Sequence, residues 1–337
     1  MKKYLLALLP IFVLGLTPRP TITEDTSLEE ILQMLGKPAP KHYISPEDRT
    51  LTLVKQGEEL VKEGRTLGPD GKKTPYVSLF YVCTDCHNLV QEDPDLTKSD
   101  PEARLMYAAQ QNIPFLQGTT FKGTVNRETW YNDDYVKKYG ELVYAANEDL
   151  GESIQLCAQE CSQGRKLKDW EVRAIIAYYW SLEYTLADIK VSPTILKTLN
   201  EEDLTTETKK KLLEELRSLY MKKSPATFSD GPADKIAGYK GAEDGDAFKG
   251  ALLYKLSCQA CHFPKGVSGL DLDNSKFTFR KFRRNMDRDS YFNIYDIVRY
   301  GTYAMKGHKP YMPHYTLERM SHQQVEDLRA YIEQEAI

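Results

Sequence analysis

Apolar residues recur at helical spacing along the chain, and no stretch alternates convincingly as a strand. Between Leu51 and Lys62, Leu53, Val54, Leu60 and Val61 fall roughly on one face. Val172, Ile175, Ile176, Tyr179 and Leu182 repeat the pattern from Asp169, read as an N-cap, to about Tyr184. A helical insert is expected around Glu207 to Met221, and another helix leads into Cys258. The last helix opens on Ser321 and Gln324, a capping-box pair, and turns Val325, Leu328, Tyr331 and Ile332 to one side. The expected fold class is all-α.

These elements group into two units that look like a degenerate internal repeat. Each has a Cys-x-x-Cys-His string near its start and an Ala-Tyr pair in its closing helix, at Ala177-Tyr178 and Ala330-Tyr331. The first unit is placed at residues 48–186 and the second at 243–337. Residues 187–242, charged and punctuated by Pro and Gly, are read as a linker carrying the helical insert. Ahead of the first unit, Lys2 and Lys3 precede an apolar run from Leu5 to Leu16, the layout of a signal peptide over residues 1–22. That run is too short to cross a bilayer, which takes about 20 residues of helix, so no spanning segment is expected. Pro18 and Pro20 crowd the cleavage region and no A-x-A pattern follows, which leaves an uncleaved tether open. The expected location is periplasmic or exported.

Composition narrows the function classes. The 337 residues are 41% hydrophobic, enough for proper cores, and 45 Lys and Arg against 49 Asp and Glu leave a formal charge of −4. Nothing in that balance attracts nucleic acid. Six cysteines are too few for a disulfide-built scaffold, and four of them lie in the two Cys-x-x-Cys-His strings.

Cys83-Thr84-Asp85-Cys86-His87 and Cys258-Gln259-Ala260-Cys261-His262 each offer two thiols about one helical turn apart, a spacing that suits addition to the two vinyl groups of a haem. His87 and His262 then lie under the iron. A four-Cys zinc site would not require a His after each pair, and a redox dithiol would need one copy only. The expected cofactors are therefore two covalently attached haem c groups. For the first haem the choice of sixth ligand is narrow: Met34, Met106 and His42 are the spare residues of the N-terminal half after Met1. The place before the Asp169 helix holds Cys157-Ala158-Gln159-Glu160-Cys161, which suggests a thiolate. Cys157 as ligand, Cys161 or Met106 as ligand, and a Cys157–Cys161 disulfide all remain open here. A disulfide would close a very short loop and be strained on a helix.

The two strings and their flanking helices resemble class I c-type cytochromes, over about residues 50–185 and 243–337. The resemblance implies helices crossing around one haem in each unit. It also makes Tyr311-Met312-Pro313-His314-Tyr315 similar to that family's Met-Pro loop, with Met312 as distal ligand and Met305 and His314 as rivals. The segment from Cys157 to Gly164-Arg165-Lys166-Leu167, with Phe121-Lys122-Gly123-Thr124-Val125-Asn126-Arg127 before it, resembles di-haem thiosulfate dehydrogenases and related sulfur-oxidation cytochromes. In those, a Cys seven residues before the Gly supplies the distal ligand. The resemblance implies a catalytic Cys157 that bonds thiosulfate and releases tetrathionate when a second thiosulfate attacks. Glu160, where that family tends to be basic, and the extra thiol of Cys161 are departures. Thiolate ligation lowers a haem's potential and Met ligation raises it, so the first haem would be the low-potential partner.

Lys276, Arg280, Lys281, Arg283, Arg284 and Arg288 interleave with Phe277, Phe279 and Phe282, and are read as propionate partners or as a face that steers an acidic redox protein, with the rings walling a porphyrin. Arg127 and Arg165 could attract a small anion such as thiosulfate. The leading function is electron transfer between a donor and a respiratory acceptor. Thiosulfate oxidation is the sharper version, a pure electron-transfer subunit the plainer one, and a di-haem peroxidase the least supported, since its low-potential site needs more histidines. Cys83→Ser and Cys258→Ser should each reduce the haem retained on the denatured chain.

Overall fold

The computed structural model describes residues 21–286, 288, 292–302 and 311–337. The leader therefore lies outside the described residues except for Thr21 and Ile22, and Met305 lies outside them too. Among the described residues the fold is all-α, with isolated bridges such as Ser27 to Thr185 in place of any strand.

Two helix crossings organise it. Helix Leu51–Glu63 packs against helix Asp169–Trp180, and helix Ala247–Leu253 packs against helix His322–Glu335. A glycine sits at each point of closest approach. A Cβ on Gly57 would stand 1.9 Å from the Ala174 carbonyl oxygen and 2.8 Å from Tyr178 Cβ; on Gly250 it would stand 2.0 Å from the Asp327 oxygen and 2.7 Å from Tyr331 Cβ. The Ala-Tyr pairs noticed in the sequence thus mark the same crossing in both halves. Asp169 is the first residue of its helix rather than its cap, with Glu171 accepting from the Lys168 N–H at 2.7 Å, and the helix stops at Trp180. The C-terminal helix is capped as read, Ser321 Oγ accepting from the Gln324 N–H.

Three buried clusters result, and they do not follow the chain in order. Leu60, Val61, Ile154, Ile175, Tyr179 and Trp180 centre the first. The second joins Leu253, Tyr254, Phe279, Val325 and Leu328 to Leu105, Ala108 and Phe115, so helix Pro101–Gln111 of the first half covers the second half's core. The stretch read as a linker is more structured than its composition suggests. Helix Pro193–Leu199, unseen in the sequence, and helix Thr206–Ser218 build a third cluster with Ile22, Leu28, Ile31 and Leu32. Pro at the first turn and Ser192 as N-cap are the local reasons the unexpected helix forms.

Gly57→Ala and Gly250→Ala should each lower stability by about 2 kcal/mol or more, because the helices must part to admit a methyl group. Gly269→Ala, which meets open space, should be near neutral. Denaturant midpoints of the three variants check this.

Candidate functional site

The second Cys-x-x-Cys-His string continues helix Ala247–Leu253 through one wide turn, Tyr254–Cys258. Cys258 packs beside Met312 and Phe282 on the core around Phe279 and Val298. His262 donates its Nδ1–H to the Leu270 carbonyl at 2.9 Å, which leaves the Nε2 lone pair free. Burial lowers its pKa and favours the neutral ring. The Met312 backbone is fixed on both sides: its N–H donates to Thr302 Oγ1 at 2.7 Å and its carbonyl accepts from the Thr302 N–H at 2.9 Å. A neutral imidazole, the two thiols of the same string, and a thioether that shares the core with Cys258 are a donor set that fits a covalent haem.

The first string forms a tight turn, Cys83–Asp85, which a loop of residues 64–82 separates from its helix. His87 repeats the arrangement of His262, with Nδ1–H donated to the Thr119 carbonyl at 2.6 Å. Burial pushes its pKa down to about 4. Cys83, Cys86 and His87 line a cavity of about 1490 Å³ of empty space including its open mouth, shared with Leu60, Phe121 and Tyr179. Gly118 must be a glycine here, since a Cβ would come within 2.6 Å of the His87 ring.

Both spare cysteines open on this cavity, and neither is in a disulfide. They end helix Leu150–Leu156 in a wide π-type turn, where the Ser162 N–H reaches back to the Cys157 carbonyl at 2.8 Å. Such turns are frequent at functional sites. Cys161 Sγ lies 3.3 Å from Tyr139 Oη and 3.8 Å from Tyr131 Oη. A hydrogen bond from the Cys157 thiol, with the two tyrosine hydroxyls and the Lys138 charge, holds the Cys161 thiol below its ordinary pKa against the penalty of burial. The same bond pushes Cys157 up. The thiolate character therefore sits on Cys161, which sequence spacing did not favour.

Other expected residues fall elsewhere. Met106 is 42% exposed and away from the cavity, His42 donates to the Val125 carbonyl between Trp130 and Trp180, and Met34 packs on the third cluster. Arg127 lines the cavity. Arg165 does not: it grips Glu171 and the Pro75 and Tyr76 carbonyls, while a Cβ on Gly164 would meet the Val77 oxygen at 2.0 Å. The Gly-Arg-x-Leu run is thus a structural clamp, with Leu167 buried on the cavity wall. Among the interleaved aromatics, Phe279 and Phe282 face the second core but Phe277 is 79% exposed.

The two sites touch. Cys261 Sγ is 3.8 Å from the Asp85 carbonyl oxygen, so the two strings abut. Residues on either side of Met312 wall the first cavity: Tyr311, Pro313, His314, Thr316 and Arg319. His314 touches Lys138 there and so faces the first site, not the second. Tyr311 donates its N–H to Tyr81 Oη at 2.7 Å and its hydroxyl to the Cys161 carbonyl at 2.7 Å.

One buried pair holds this junction. Arg319 donates to both Glu92 oxygens, at 2.7 and 3.0 Å, and to the Leu116 and Gly118 carbonyls, at 2.8 and 2.7 Å. Glu92 also accepts from the Thr120 N–H at 2.8 Å and from Asn88 at 3.0 Å. Burial alone would raise the Glu92 pKa, but Arg319 and Arg104 overcome it and hold it at about 2. Glu92 accordingly contributes stability that is complete above its ordinary value near 4.5 and is lost as pH falls toward 2. Glu92→Gln should cost about 3 kcal/mol at pH 7, because it strands a buried guanidinium. The gap from wild type should close as unfolding is measured at decreasing pH.

A family model described as Cytochrome c matches residues 247–335. No curated protein and no solved structure matches the chain. The matched span runs from helix Ala247–Leu253 into helix His322–Glu335 and contains Cys258, Cys261, His262 and Met312. This part of the chain is therefore similar to c-type cytochrome domains, which carry covalently bound haem c and transfer electrons.

Proposed function

We propose that the chain is an exported di-haem c-type cytochrome, with residues 48–186 forming a second domain of the same kind and the leader directing it to the periplasm. Cys83 and Cys86 would hold one haem and Cys258 and Cys261 the other, with His87 and His262 as proximal ligands and Met312 as the distal ligand of the C-terminal site. The observation that carries this reading is the contact between the two Cys-x-x-Cys-His strings, with Cys261 against the Asp85 carbonyl. When bound, two haems supply two one-electron acceptors, matching the two electrons released when one sulfur–sulfur bond forms. The protein's own part is to keep the two sites side by side. Tyr81 and Tyr311 close the partition between them, and Glu92 and Arg319 lock it. Lys276, Arg280, Lys281 and Arg284 present an exposed cationic face for an acidic redox partner on a chain that is otherwise net negative.

The cysteine pair favours a finer version, oxidation of thiosulfate or a related sulfur anion at the first site. The resemblance to di-haem thiosulfate dehydrogenases names Cys157 as ligand and catalytic residue, while the hydrogen bonds support Cys161 as the better thiolate. Lys138, whose pKa burial pushes down to about 8, carries positive charge next to that sulfur and suits an anionic substrate. A pure electron-transfer subunit remains the alternative if no substrate reacts.

Low-temperature EPR of oxidised wild type, Cys157→Ser and Cys161→Ser tests the site. A thiolate-type low-spin signal lost in one variant identifies the ligand. Thiosulfate should then reduce the oxidised protein and yield tetrathionate with an acceptor present. A wild-type spectrum free of any thiolate signal, together with no reduction by thiosulfate, would leave electron transfer alone.

A further inference from the structure

Arg319, which the C-terminal half lends to the wall of the first cavity, sits in a group of buried charges that is positive overall. Arg104 and Arg319 are almost fully buried, at 1% and 6% exposure, and Arg127 stands at the cavity beside them. Two carboxylates, Glu92 and Asp93, share the field of these three guanidinium groups, which leaves one positive charge over. Two polar atoms on this wall are also unsatisfied. Arg319 Nε and Thr316 Oγ1 are buried without a hydrogen-bond partner, although both side chains line the cavity. Buried donors are normally paired, and leaving one unpaired costs about 1–3 kcal/mol. A positive field behind the wall and two idle donor groups on it together describe a site for a single carboxylate.

We propose that Arg319 and Thr316, residues of the C-terminal half, bind a propionate carboxylate of the tetrapyrrole attached in the N-terminal half, so that both halves hold the first cofactor. This rests on the two-haem reading above. The geometry suits the task. Arg319 spends its terminal nitrogens on Glu92 and on the Leu116 and Gly118 carbonyls, which fixes the guanidinium plane and leaves its Nε edge uncommitted. Thr316 is three residues away on the same turn, where the Arg319 N–H returns to the Thr316 carbonyl at 3.0 Å. A carboxylate there would neutralise the excess charge and satisfy both atoms. Because Arg319 also braces the Gly118 and Leu116 carbonyls next to Thr119, the same side chain would couple the propionate to the loop that orients His87.

Resonance Raman spectra of the holoprotein, with the two haems separated by redox poise, test this through the propionate bending bands. Three variants are compared: Arg319→Gln, Thr316→Val, which leaves Glu92 paired, and Arg319→Lys, which keeps the charge. The first haem's band should shift in Arg319→Gln and Thr316→Val and return part of the way in Arg319→Lys, while the second haem's band stays fixed. Its reduction potential should fall in Arg319→Gln, since losing a nearby positive charge favours the oxidised iron, and should be unmoved by Lys276→Gln on the surface. Two haems on the denatured chain with an unshifted band in both Arg319→Gln and Thr316→Val would overturn the assignment alone. A single haem on denatured wild type would overturn the two-haem reading and the assignment with it. Succinate titrated into wild type distinguishes a free carboxylate: saturable change at the first haem with unmoved propionate bands would give the subsite to a ligand from solution and overturn the porphyrin assignment.

Discussion

A carboxylate buried away from water must find positive charge, and Glu92 finds it in Arg319, from near the other end of the sequence. That requirement dictates much of the remaining architecture. To reach Glu92, the turn at residues 316–320 must lie against the loop at 114–121, which brings the residues around Met312 over the first cavity. In the other direction, helix Pro101–Gln111 is carried across to the second core, where Arg104 stacks 3.6 Å over Phe115 and the Phe115 N–H donates to the Leu256 carbonyl at 2.8 Å. Each half therefore finishes the other. The contact between the two Cys-x-x-Cys-His strings is a consequence of this exchange, not a separate device.

How much of this the sequence disclosed depended on whether the cause was local. The crossing helices were legible because helix Asp169–Trp180 and helix His322–Glu335 announce themselves by periodicity and caps, and the two Cys-x-x-Cys-His strings because thiol spacing and an adjacent His are written in consecutive residues. Helix Pro193–Leu199 was missed because its apolar face is short and several residues of the cluster it joins, Ile22, Leu28 and Ile31, are far away in the chain. Arg319 and Glu92 looked like two ordinary charged residues. Nothing within either one's neighbourhood states that the partner lies across the molecule, so no pattern within either half could have singled them out.

The cysteine pair shows the same limit at finer scale. The resemblance around Gly164 pointed to Cys157, but the groups that favour charge on the Cys161 sulfur are the Cys157 thiol itself, Tyr131 and Tyr139 from a separate segment, and Lys138 beside them. The wide turn at Cys157–Cys161 displays both sulfurs to one cavity. Gly164 and Arg165, which the pattern made prominent, serve the backbone instead.

The exchange of helix Pro101–Gln111 has a consequence for how the protein comes into being. A ribosome releases this helix long before Leu253, Phe279 and Leu328, the side chains that bury Leu105 and Ala108, have been made. The N-terminal half accordingly cannot complete its fold during synthesis, and its apolar edge stays uncovered until the last helix emerges. Until then the cavity at Cys83 and His87 also lacks the wall that Tyr311, Pro313, His314, Thr316 and Arg319 supply, so its closure is among the last events of folding.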